Sequence, residues 1–247
     1  MEQMSNWFES SQGRYVLEWE QRQYDNAIDD VFGFHAVQVG LPGIDFLREN
    51  RIPLKIRAGL EPGCTLAASP GHLPLLSHSV DLVVLPHELE FSDHPHQILR
   101  EAERVLMPEG QIVISGFNPL SLWGLRRGLG ATVGWDDDAF PWNSRFIGLL
   151  RLKDWLALLG FEINGGRFGC YVPPFTKARW LERFQFMEKA GGRWWPIAGA
   201  TYVIRAIKRN HGIRLVTPPW REMRVKRPAL VQVARRDNVI HVRRNQR

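Results

Sequence analysis

The stretch from Ser79 to Phe117 limits what this chain can fold into more than any other part of it. Val80-Asp81-Leu82-Val83-Val84-Leu85 is an apolar run of strand length, and Gly110-Gln111-Ile112-Val113-Ile114-Ser115 is a second. Between them Ile98, Leu99, Ala102 and Val105 recur at helical spacing among Arg100, Glu101, Glu103 and Arg104. Strand, loop, amphipathic helix, tight turn and strand make one right-handed crossover unit of a parallel sheet. The pattern predicts Val80 to Leu85 lying parallel beside Gln111 to Ser115, with a helix from Pro95 to Leu106 crossing between them.

The same residues resemble a known family. Ser79-Val80-Asp81 and its strand, His87-Glu88-Leu89-Glu90-Phe91, Leu99-Arg100-Glu101, and Arg104-Val105-Leu106 followed by Gly110 and a strand are similar, in that order, to the type-11 methyltransferase domain of the class I S-adenosylmethionine-dependent methyltransferases. The resemblance implies an α/β fold: a Rossmann-like class I methyltransferase sheet, mostly parallel, with an antiparallel terminal strand. It also implies S-adenosyl-L-methionine as cofactor and methyl transfer to an acceptor, here unidentified and expected to be a small molecule.

Around this unit the chain supplies the rest of such a sheet. Leu17, Tyr24, Ile28 and Val31 fall at helical spacing among Glu18, Glu20, Arg22 and Asp25, predicting an N-terminal helical segment over residues 1–34. His35 to Leu41 reads as a first strand ending in the turn Gly40-Leu41-Pro42-Gly43, and Asp45 to Asn50 has room only for a short helix. Leu54 to Arg57 and Cys64 to Ala68 are candidate second and third strands. Their connection is shorter than a parallel crossover needs, so either they pair as a hairpin or one of them is no strand. The first half is thus abridged. Arg151 to Leu159, stopped by Gly160, is a late helix feeding the strand Phe161-Glu162-Ile163, and Ala200 to Ile207 fits the terminal antiparallel strand. The methyltransferase-like domain then covers 35–210. Residues 211–247, with Pro218, Pro219, Pro228 and most of the late cations, read as a basic tail without a core-forming period.

In an open α/β sheet ligands gather at the carboxyl ends of the strands, here Gln38 to Gly43, Ala68 to Leu73, Leu85 to Glu88 and Ser115 to Asn118. The resemblance assigns cofactor contacts to Gln38, Gly40, Gly43, Ser69, Leu73 and His87. The chain departs from the family at three expected cofactor contacts. Gln38 stands where a carboxylate usually precedes the glycine turn. Glu61 is the nearest acid for the ribose hydroxyls, in a Pro-Gly context. Ser69 falls where an aspartate usually meets the adenine. A sulfonium methyl is already activated, so protein groups mainly position the acceptor, sometimes with one base. His87, just past a buried strand, is the candidate for that base, with a packed loop histidine as the alternative. Asp93 reads as a helix N-cap, and Glu101 and Arg104 as structural polar contacts.

Cys64 and Cys170 are too few and too far apart for a disulfide framework or a thiolate metal site, and neither a His-Glu-x-x-His pattern nor any ligand spacing around Asp136-Asp137-Asp138 implies a metal. No leader-like segment or membrane-length apolar run is visible, so a cytoplasmic protein is expected. The formal net charge of +6 is concentrated late in the chain. That keeps a second class of function open: a non-catalytic relative of the same fold that binds RNA or another acidic partner through the basic tail, with Trp220 interleaved.

Overall fold

The computed structural model of the chain describes residues 2–133, 144–174, 183–184 and 186–209. It opens with α1 (Glu2–Phe8) and α2 (Ser11–Ile28). Ser10 caps α2, its hydroxyl accepting the Gly13 N–H at 3.0 Å. The face that α2 buries carries Val16, Glu20, Tyr24 and Ile28, a four-residue period with a carboxylate among its members.

The strands are β1 (His35–Val39), β2 (Leu54–Gly59), β3 (Leu66–Ala67), β4 (Val80–Pro86), β5 (Leu106–Phe117), β6 (Phe161–Gly169) and β7 (Thr201–Lys208), arranged β3-β2-β1-β4-β5-β7-β6. β4 and β5 are parallel, with Val83 opposite Ile112 and Leu85 opposite Ile114, and the helix between them is α4 (Pro95–Val105), as the sequence predicts. β7 runs antiparallel to both β5 and β6. Strand order reverses between β1 and β4, which opens a crevice at their carboxyl ends.

β2 and β3 correct the expectation of a hairpin or a missing strand. They pair in parallel, Ala58 with Leu66 and Gly59 with Ala67, although only residues 60–65 connect them. A full-length crossover must travel back along the whole strand. β3 is two residues long, so the loop need descend only to the level of Arg57, whose N–H donates to Thr65 Oγ1 at 2.8 Å and whose carbonyl accepts the Thr65 N–H at 2.8 Å. Residues 45–50 form turns instead of the expected short helix, and Asp93 is not a cap: His94 holds that position, and its N–H is taken by the Ser92 hydroxyl.

Alternation along the strands divides the core into two layers. Val37, Val39, Val83, Leu85, Ile112 and Ile114 face α4 and α6 (Leu149–Leu158). Ala36, Leu82, Val84, Val113 and Phe117 face α1, α2 and Trp123 of α5 (Leu122–Val133). Two short helices complete the described elements, α3 (Glu88–Phe91) after β4 and α7 (Phe186–Trp194) before β7. The Asp136 cluster and the basic tail with Trp220 lie outside the described residues.

Candidate cofactor site

Two hollows adjoin at the carboxyl ends of the strands. The first, about 180 Å³, is lined by Gly40 and Pro42 after β1, Gly59, Leu60 and Glu61 after β2, Cys64 and Pro70 around β3, and Glu88 after β4. The second, about 280 Å³, is lined by Ser69 to His72, Ser92, His94, Gln97 and Ile98, and again by Glu88. Pro70 and Glu88 belong to both. The reduced β2–β3 connection leaves no helix over this side among the described residues.

The turn after β1 is shaped by backbone and by Gln38. Gly40 has φ +86°, the region glycine enters without steric penalty, and Leu41 follows at φ +45°. The Gln38 side chain is fully buried beneath. Its amide nitrogen donates to the carbonyls of Gly40 (3.1 Å), Leu41 (3.0 Å) and Ile44 (2.8 Å), while its oxygen accepts the Phe46 N–H at 3.0 Å. Gln38 therefore knits the turn and has no polar atom left for a ligand. At the end of β2, a Cβ on Gly59 would come within 2.8 Å of Cys64 Sγ, so a larger residue there would push the thiol aside.

At the end of β4 the chain turns sharply. His87 takes the left-handed conformation at φ +53°, strained for a side chain of its size, and its N–H donates to the Ser115 carbonyl at 3.2 Å. Successive side chains are thereby sent in different directions. His87 goes inward, wholly buried, with Nε2 2.8 Å from Glu20 Oε1 and Nδ1 2.8 Å from Glu90 Oε2. The other Glu90 oxygen accepts the Phe117 N–H at 2.6 Å. Burial opposes a charge on the imidazole, but Glu20 and then Glu90 outweigh it and raise its pKa to about 10. Burial pushes the Glu90 carboxyl up as well. Glu88, next in the chain, faces the two hollows instead. It is only 6 % exposed, and burial, opposed by the positive charge of the chain's amino terminus and helped by Glu61, lifts its pKa to about 7.

The structure thus separates the residues picked from sequence. Gly40 and Ser69 line the hollows, one in each. Gly43 is exposed and lines neither. Leu73 is part of the core, its N–H donating to Glu101 at 2.7 Å and its carbonyl accepting from Arg104 at 3.0 Å, which accounts for that helix pair. His87, expected as a base or a cofactor contact, opens onto neither hollow and has both ring nitrogens engaged. Sequence reasoning overlooked Glu88 and the partner Glu20. Glu20 left a trace: a carboxylate at the i+4 step between Val16 and Tyr24 has to bury itself or break the stripe.

Strand order 3-2-1-4-5-7-6, with hollows at the carboxyl ends of the strands, is the arrangement of a nucleotide-binding α/β sheet of the methyltransferase type. A model of the methyltransferase domain, type 11, matches residues 43–114. The uncharacterised protein YafS of Escherichia coli K12 is 35% identical over 175 residues, which is 69% of this chain and 70% of the relative. Among solved structures, a SAM-dependent methyltransferase from Archaeoglobus fulgidus superposes with TM-score 0.55 at 18% identity, covering 79% of this chain and 94% of that one. One from Mesorhizobium loti gives 0.52 at 15%, covering 75% and 96%. Geranyl diphosphate C-methyltransferase from Streptomyces coelicolor gives 0.54 at 13%, covering 79% and 80%. The chain belongs to the type-11 methyltransferase domain family of the class I S-adenosylmethionine-dependent methyltransferases, whose cofactor is S-adenosyl-L-methionine.

Proposed function

We propose that this chain transfers the methyl group of S-adenosyl-L-methionine to a small-molecule acceptor, and that the cofactor lies along the two hollows that meet at Glu88. The reading rests on one geometric fact: the two hollows share Pro70 and Glu88 in their walls at the carboxyl ends of the strands, with a glycine turn of positive φ on the first and a buried carboxylate common to both. An elongated ligand with a cationic middle fits that outline. Of the solved relatives, the Streptomyces enzyme acts on a small molecule, geranyl diphosphate.

The cofactor supplies a methyl already activated as an electrophile, so the work left to the chain is placement. Gly40, held by Gln38, lets backbone come close to the ligand. Glu61 and Ser69 offer polar contacts in the first and second hollow. His87 acts as a positioning residue: bonded to Glu20 and Glu90, it fixes the end of β4, and therefore Glu88, against α2 and β5.

Equilibrium dialysis with radiolabelled S-adenosylmethionine tests the reading. Saturable binding that Gly40→Val removes is the expected result. No binding by the intact protein at millimolar ligand overturns it.

A further inference from the structure

Glu88 has no hydrogen bond or ion pair among the described residues, although it is almost completely enclosed. It is the one ionisable residue common to both hollows. A carboxylate in that position needs a cation, and no side chain of the described residues provides one. The charged and titratable groups around it are Glu61, Cys64 and Arg57 on the β2–β3 side, His72 and His94 on the α4 side, and the chain's amino terminus, whose positive charge works against the rise in its pKa. Arg57 is turned to the Pro42 carbonyl at 3.2 Å, and Glu61 adds negative charge instead of cancelling it.

We propose that Glu88 is the counter-charge for a sulfonium, so that the site takes cationic S-adenosylmethionine in preference to the neutral S-adenosylhomocysteine left after transfer. The proposal rests on the reading of the joined hollows as the cofactor site. The two ligands share their adenosine and their amino-acid ends, so contacts there cannot distinguish them. They differ by one methyl and one positive charge at sulfur. When the methyl passes to the acceptor, the C–S bonding electrons stay on sulfur and Glu88 faces a thioether. The carboxylate then loses the partner that favoured its ionised form, and the product loses its hold.

The ionisation of Glu88 gives the preference a signature. With a pKa of about 7 in the free protein, Glu88 is mostly protonated at pH 6 and offers no counter-charge. At pH 8 it is ionised. Affinity for the sulfonium ligand should rise across that interval, and affinity for the thioether should not. Other ionisable groups, the amino terminus among them, lie nearby, so a variant lacking only the Glu88 charge is needed to assign the effect.

Isothermal titration calorimetry on the full chain decides it, with S-adenosylmethionine, S-adenosylhomocysteine and sinefungin, whose ammonium stands in for the sulfonium, at pH 6 and pH 8. Wild type should bind S-adenosylmethionine and sinefungin about tenfold more tightly at pH 8, as a single ionisation over that range allows, with S-adenosylhomocysteine unchanged. Glu88→Gln, checked for folding by its melting temperature, should lose both the pH dependence and the preference while holding S-adenosylhomocysteine within twofold. Equal weakening of both ligands in Glu88→Gln would place the carboxylate at the shared amino group and overturn the proposal, as would a preference that survives the substitution. If wild type binds both ligands equally at both pH values, Glu88 is no selector. If it binds neither, the cofactor site itself is misassigned and the proposal goes with it.

Discussion

Glu20 and His87 are 67 residues apart in the chain, yet their side chains meet at 2.8 Å with no exposed surface on either. The contact joins the N-terminal helix to the carboxyl end of β4, and Glu90 completes it from the other side. Removing one member of a buried charged network leaves the others unpaired, which typically costs about 3–5 kcal/mol. His87→Leu should therefore lower unfolding free energy by that order in urea titration at pH 7, with a milder loss for Glu20→Gln, which keeps a hydrogen-bonding group.

The same contact sets a pH dependence. The folded pKa of His87, about 10, lies above the ordinary histidine value of 6.5, so between those limits the native state holds a proton that the unfolded chain does not. Its stabilisation is complete below about pH 6.5 and is lost as pH rises towards 10. Thermal melting should show a decline from pH 7 to pH 10 that is much reduced in His87→Leu. Parallel slopes for the two proteins would mean that the imidazole is not charged in the fold.

Gln38 stands where the family usually has an acid, and restoring the acid should do harm here. Gln38→Glu would replace an amide nitrogen that donates to three carbonyls with an oxygen facing all three. A buried carboxylate left with the Phe46 N–H as its donor and three carbonyls facing its other oxygen should cost roughly 2–4 kcal/mol. The deficit should shrink toward pH 4 as the new carboxyl takes up a proton. Chemical denaturation at pH 4 and pH 8 measures it, and a variant as stable as wild type at pH 8 would show that the turn can rebuild itself around an acid.

How much could be read beforehand follows from where the information lies. The β4–α4–β5 unit was legible because each part is local: two apolar runs, one helical period and one glycine turn. The parallel pairing of β2 with β3 was not, because connection length argues against it, and only the two-residue extent of β3 removes the objection. Gly40 could be chosen from its turn. Gln38 and Leu73 were chosen by position in a motif, but their polar atoms are taken by the Gly40–Phe46 turn and by Glu101 and Arg104, bonds that no motif encodes. His87 was found, and its role was not, since Glu20 comes from a helix 67 residues away.

Val83 tests the central layer directly. It is fully buried in β4, paired with Val37 of β1 and Ile112 of β5. Val83→Asp places an unpaired carboxylate between two covered faces at a cost of several kcal/mol, on the order of the whole stability of a domain. Circular dichroism should show an unfolded or aggregated product, and a cooperative melt near the wild-type temperature would contradict the assigned burial.

The β2–β3 connection is confined to residues 60–65, without a helix, so the hollow beside Gly59 and Glu61 has less protein over it than a full crossover would give. Fewer enclosing contacts should leave the dissociation constant for S-adenosylmethionine above about 10 μM, some 7 kcal/mol of binding. Gly40→Val should push it out of range. A β-branched residue at φ +86° is strained by about 1–3 kcal/mol, and its side chain would also stand where backbone must approach the ligand. Gly43→Val is the control for substitution in the same turn, because a Cβ at Gly43 meets nothing within 4 Å. Calorimetry should find the Gly43 variant binding as wild type does and the Gly40 variant not binding. Submicromolar affinity in wild type would mean that Glu61 or a neighbouring group compensates for the missing crossover.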